Sequence, residues 1–243
     1  MLLVRTFGGL TLALEEGPVT GALTQRRRLA LLALLAVARD HGVSRDKLMA
    51  YLWPEADAAR AGHALSQLLH AQRKAFAPED LFLGRKTVRL NPAVARSDVG
   101  TFEDALDRGA TTDAVRWYVG PFLDGFFLRG APEFERWVEA TRNRLARRMC
   151  SACIDLARTA AAAGDAAGSA EWWRRAAGVD PHDSRLALDV VAALAAAGNR
   201  AGALDYAEEH RQRLARDLGV APDPSLLALV ARLRGTGPIA ADP

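Results

Sequence analysis

Residues His63–Phe76 read HALSQLLHAQRKAF. Leu65, Leu68, Leu69 and Phe76 recur at helical spacing, while Arg60, His63, Ser66, Gln67, His70, Arg73 and Lys74 collect on the other side. Two chemistries suit such a face. The first is metal binding, and the spacing argues against it. His63 and His70 lie seven residues apart with no carboxylate beside them, whereas histidine ligands on one helix favour a four-residue step. The second is reading DNA. Gln pairs with both edge atoms of adenine, Arg with those of guanine, and Ser or His donates or accepts at groove edges. An α-helix fits the major groove of duplex DNA.

Other constellations are poorer. Cys150 and Cys153 form a CxxC inside a long helical pattern, with no second ligand pair to complete a tetrahedral site. They read as two small helix residues, and their low number fits a reducing compartment. No phosphate-binding glycine loop, nucleophile elbow or zinc-protease signature occurs. Neither an enzymatic reaction, a metal nor a cofactor is expected.

Strand and helix signals on either side show what carries this face. LLVRTFG and GLTLAL alternate like short strands, and EEGP reads as a turn. A first helix is expected from an N-cap at Thr24 to a stop at Gly42. A second begins at Ser44 and ends before Pro54. A third is capped by Asp57 and stops before Pro78. LFLGRKTVRLNP then reads as strand, turn, strand, with Arg85 and Lys86 at its tip. Strands, three helices and a terminal hairpin make residues 1–96 a winged helix-turn-helix module of α+β type. The hairpin tip reaches an adjacent groove or phosphates. Arg26, Arg27 and Arg28, in a helix's first turn, suit phosphate. Such contacts position the protein rather than read sequence. Ser44 and Arg45, opening the second helix, complete the expected DNA-facing set.

Residues 97–235 read as almost entirely helical, giving a mainly α protein. TAAAAGDAAGSAEWW (Thr159–Trp173) resembles ALAAAGNRAGALDYA (Ala193–Ala207), and Gly164 and Gly198 are 34 residues apart. That is the period of tetratricopeptide helix pairs, which bury their apolar faces by stacking. A third, interrupted unit is expected in TFEDALDRGATTDAVRWYVGPFL. Residues 236–243 read as a tail or linker. The aromatics Trp117, Tyr118, Phe122, Phe126, Phe127 and Trp137 are expected to form the joint between the two parts, a partner surface being the alternative.

The bulk numbers agree with this division. Of 243 residues half are hydrophobic and a quarter charged, with a net charge of +3, as in a soluble globular protein. Residues 1–96 hold 14 Lys and Arg against 8 Asp and Glu, and the remainder 18 against 21. The front half therefore suits a polyanion. No apolar run approaches the ~20 residues of a membrane span. The terminus reads as a strand rather than a leader, so a cytoplasmic protein with no membrane partner is expected.

Residues 23–77 resemble the winged-helix domain of the Streptomyces antibiotic regulatory protein family. The likeness lies in the arginines followed by ALLALLA, in VSRDKL, in LWP and in RKAF. SDVGTFEDAL, YVGPFLDGF, EFERWVEATRNRLAR and AAGNRAGALDYAEEHRQRLARDLGVAPDPSLLAL resemble its partner, the bacterial transcriptional activator domain. The resemblance implies an OmpR-like DNA-binding fold and a transcriptional regulator, an activator on tandem promoter repeats that contacts RNA polymerase. It places Ser66, Gln67, His70, Arg73 and Lys74 on the recognition helix and Arg85 and Lys86 on the wing. Trp53, Pro54, Glu55 and Asp57 fall where relatives touch polymerase. Tandem sites imply two copies on DNA, as a homodimer. This chain departs from the family at Ser66, where Arg or a similar polar residue is usual, and at Gln72, where Leu is usual. Similar domains also serve signalling proteins, so the alternative is a helical-repeat interaction module with a vestigial or weak DNA-binding domain.

Overall fold

The structure, a computed structural model, describes residues 1–14, 17–18, 24–76 and 80–235. It divides into two compact units, Met1–Leu145 and Ala146–Pro243. The expected stop at Pro78 and the tail 236–243 lie outside the described residues.

In the first unit, β1 (Leu2–Arg5), β2 (Thr11–Leu14) and β3 (Gly17–Pro18) form an antiparallel meander. A strand that the alternation does not predict, β7 (Ala95–Ser97), returns to pair parallel with β1, giving the order β3-β2-β1-β7. Between them lie α1 (Arg26–Ala38), a 3-10 turn (Arg39–His41), β4 (Val43–Ser44), α2 (Arg45–Leu52), α3 (Ala58–Ala75) and the hairpin β5 (Phe82–Leu83)–β6 (Thr87–Leu90). β4 pairs antiparallel with β6, so the wing is a three-stranded sheet, β4-β6-β5.

Each helix has a local cause. α1 is buried along every residue from Leu29 to Ala36, as befits a helix apolar on all sides. It begins at Arg26 with Gln25 at the N-cap and no side-chain cap bond, so Thr24 is not the cap that the sequence suggests. Ser44 caps α2 by accepting from the Lys47 N–H, and Asp57 caps α3 by accepting from the Arg60 N–H, at 3.3 and 2.9 Å. Such caps satisfy donors that the first turn leaves over. The wing turns at Gly84, whose φ is +85° and where a Cβ would lie 2.0 Å from the Thr87 carbonyl oxygen. Only glycine fits there.

The first unit continues through α4 (Asp98–Asp107), the one-turn α5 (Thr111–Ala114) and the start of α6 (Pro132–Ala162). Asp98 is buried at the start of α4. Its carboxylate accepts from the Thr6 N–H at 2.8 and 2.9 Å, the Thr6 hydroxyl at 2.6 Å and the Phe7 N–H at 3.0 Å. Arg39 pairs with Asp104 and Asp107 of α4, each at 2.8 Å. Of the aromatic connector, Phe122 and Phe126 are buried in this unit, and Trp117, Tyr118 and Trp137 are half-buried. Phe7 meets Tyr118 and Phe102, and Trp137 meets Phe122, Phe134 and Tyr51. Phe127 and Val119 stay open to solvent, at 63% and 74% exposure.

The second unit holds the rest of α6 and then α7 (Ala166–Val179), α8 (Ser184–Ala196), α9 (Arg200–Leu218) and α10 (Pro224–Gly235). The 34-residue repeat is visible in atomic detail. Gly164 and Gly198 both turn the chain at positive φ, 78° and 77°. The next residues, Asp165 and Asn199, cap α7 and α9 by accepting from the Gly168 and Gly202 N–H groups at 2.8 and 2.9 Å. α8 packs on α7, α9 and α10. Cys150 and Cys153 are free thiols on α6, and burial raises the Cys153 pKa to about 11, so it stays a protonated thiol at neutral pH.

Candidate nucleic-acid interface

α3 stands on a stripe of Ala61, Leu65, Leu68, Leu69 and Gln72, all buried. Phe76, expected to close that stripe, is only half-buried beyond the helix end. Gln72 occupies the inner position instead and has no solvent exposure. Its Nε2 lies 3.5 Å from the Arg28 carbonyl oxygen, a long and weak bond, and its Oε1 finds no partner among the described residues. A buried unsatisfied carbonyl is costly. The departure visible in the sequence is therefore a real polar intrusion into the core beneath α3.

The opposite face is as expected from the spacing: Arg60, His63, Ser66, Gln67, His70 and Lys74 are exposed and Arg73 half-buried. They are not equally available. Arg60 pairs with Asp57 at 3.2 Å and Arg73 with Asp80 at 2.9 Å. Both are exposed pairs that solvent screens. Gln67 Nε2 lies 2.8 Å from His63 Nε2, a contact in which the amide donates. One amide N–H and the carbonyl oxygen of Gln67 remain for another partner. His70 and Lys74 have no partner among the described residues.

The flanking elements supply further cations. Arg85 and Lys86 are exposed at the wing tip. The Arg45 N–H donates to the Lys86 carbonyl at 3.0 Å, which fastens the wing to the start of α2. Arg45 Nη2 also donates to Ser66 Oγ at 2.7 Å. Ser44 uses its hydroxyl as the α2 cap.

Two of the three arginines opening α1 are engaged elsewhere. Arg26 donates to the Phe127 carbonyl at 2.6 Å and lies over the Phe126 ring, and Arg27 donates to the Leu52 carbonyl at 3.1 Å and lies over Trp53. These contacts join α1 to its neighbours. Periodicity gives no sign of them, because their partners are backbone carbonyls remote in sequence. Arg28 is half-buried. In the turn between α2 and α3, Pro54 and Glu55 are exposed, Trp53 lies under Arg27, and Asp57 is committed to the α3 cap. Among the described residues no group of three or more His, Cys, Asp or Glu side chains could hold a metal ion. None of their helices is long and apolar enough to cross a membrane.

The first unit thus holds a winged helix with a polar, cationic third helix, and the second is built of stacked helices. The bacterial transcriptional activator domain matches residues 80–234, and the chain belongs to that family. No curated protein matches the chain. Among solved structures it is similar to Mycobacterium tuberculosis EmbR in complex with a low-affinity phosphopeptide, at 23% identity and a TM-score of 0.64. The similarity covers 98% of this chain and 66% of that one. The chain thus spans just under two thirds of EmbR's length, and the likeness establishes the fold.

Proposed function

We propose that this protein binds duplex DNA in a sequence-selective manner, with α3 in the major groove and the wing against the flanking backbone. The face of α3 opposite its buried stripe presents His63, Gln67, His70 and Lys74 to solvent, with Arg45 and the Arg85–Lys86 tip beside it. Gln67, already oriented by His63, suits an adenine edge. His70 suits a groove-edge acceptor. Lys74, Arg85 and Lys86 suit phosphates.

The same reading makes the protein an activator on tandem sites, two copies lying side by side on DNA. The exposed Pro54–Glu55 turn is then the surface offered to RNA polymerase. The family membership of residues 80–234 supports activation. Selection of binding sites from random duplexes at two salt concentrations tests the proposal. The expected result is an enriched sequence bound with a steep salt dependence, because each phosphate contact releases condensed counterions. Duplex binding that is absent or indifferent to salt overturns it. It would favour the helical repeats as a protein-interaction module.

A further inference from the structure

Ser66 lies at the centre of the exposed face of α3, where a hydroxyl would ordinarily be assigned to a base. Its hydrogen bonds point elsewhere. Ser66 Oγ donates its only proton to the Gly62 carbonyl at 2.8 Å and accepts from Arg45 Nη2 at 2.7 Å. The hydroxyl has no donor left. Arg45, by contrast, is fixed at both ends. Its backbone N–H is held by the Lys86 carbonyl of the wing, and its guanidinium is held by α3. Four of its five side-chain N–H donors have no partner among the described residues. A guanidinium in one orientation offers a planar fork, the shape that pairs with O6 and N7 of guanine.

We infer that Ser66 is a positioning residue that holds the Arg45 guanidinium over α3, and that Arg45, a residue of α2, reads a guanine at the centre of the site. This rests on the reading that α3 enters the major groove. Ser66→Ala, Ser66→Thr, Arg45→Ala and the double Arg45→Ala/Ser66→Ala variant of the full chain are compared on the selected duplex. The comparison is repeated on duplexes varied at each position. Expected losses of affinity are about 3–10-fold for Ser66→Ala and more than 10-fold for Arg45→Ala, the range of one bidentate base contact. The double variant is expected to match Arg45→Ala within twofold. Both single variants relax preference at the same base pair, and Ser66→Thr, which keeps the hydroxyl, restores it.

Additive losses mean that Ser66 touches DNA itself and overturn the inference. So does equal weakening on every duplex, which would return Arg45 to the phosphates, or an unchanged affinity for Ser66→Ala. If the unmodified chain selects no sequence, both this inference and the proposed function fail. If it selects one while the variants behave additively, only the inference fails.

Discussion

The Asp98 carboxylate accepts both the backbone N–H and the hydroxyl of Thr6, 92 residues away in sequence. It also takes the N–H groups of Phe7 and Val99. One buried side chain thus fastens the end of β1 to the start of α4. Asp98→Ala leaves at least three donors without an acceptor in a region closed to water. It is expected to destabilise the first unit by about 3 kcal/mol or more, since each orphaned buried group costs ~1–3 kcal/mol. Urea unfolding followed by tryptophan fluorescence measures this. A loss below about 1 kcal/mol would mean that water replaces the carboxylate.

Gln72 gives a prediction of the opposite sign. Its Oε1 is buried and unpartnered among the described residues, and its amide bond to the Arg28 carbonyl is long. Gln72→Leu keeps the volume roughly constant and removes the unsatisfied oxygen. It is expected to stabilise the protein by about 1–2 kcal/mol. A thermal midpoint that stays still or falls would show that the oxygen is hydrogen-bonded in solution.

The wing and the end of α3 are predicted to act through charge alone. Lys74→Ala and the double Arg85→Ala/Lys86→Ala variant should weaken binding to all duplexes alike. For every phosphate no longer neutralised, the slope of log affinity against log salt should become shallower by about 0.9. Arg26→Ala and Arg27→Ala should leave that slope unchanged and lower stability instead, because both guanidinium groups bind internal carbonyls. Fluorescence anisotropy across a salt series separates the two classes.

The second unit is predicted to be acid-sensitive in two windows. Burial holds the His210 pKa below the ordinary imidazole value, with Arg213 adding to the effect and the Pro181 carbonyl opposing it. Its Nε2 contacts Ser184 Oγ at 3.0 Å. The unfolded chain takes the proton first, so this stabilisation is complete above about pH 6.5 and is lost as pH falls toward the folded value. Asp217, hydrogen-bonded by Arg216 and His182, has its pKa lowered to about 2. Its contribution is present above about pH 4 and is lost as pH falls toward 2. His210→Leu should flatten the stability profile just below about pH 6.5, where the unfolded imidazole takes its proton, and leave the lower window intact. Urea midpoints measured at half-unit steps decide it.

Much of this architecture is legible in the residues. The leucine spacing locates α3, Asp57 its start, and the Gly164–Gly198 interval the repeat. What escapes is long-range. The two-residue β4 and three-residue β7 are too short to show alternation, and pairing with β6 and β1 makes them strands. The face of α3 is visible as a list of polar residues, but not the division of labour within it. Arg73 is paired with Asp80, Gln67 with His63, and Ser66 with Arg45. Each of these depends on which side chain lies one helical turn or one element away. Phe76 falls outside the buried stripe because helical period alone cannot show that the helix ends at Ala75 and leaves Gln72 at the inner position.

The paired turns of the second unit have an architectural consequence. Each is a glycine at positive φ, a capping Asp or Asn, and a second glycine four residues after the first. A Cβ on that second glycine would lie 2.1 Å from Asp165 Oδ2 in one turn and 2.7 Å from Asn199 Nδ2 in the other. The two junctions are thus interchangeable parts. Duplicating residues 164–197 in frame would present the same splice geometry on both sides of the inserted piece. Since such arrays are stabilised chiefly by nearest neighbours, their length is an adjustable quantity. A protein lengthened by one such module should fold, with its helix content raised by the two added helices.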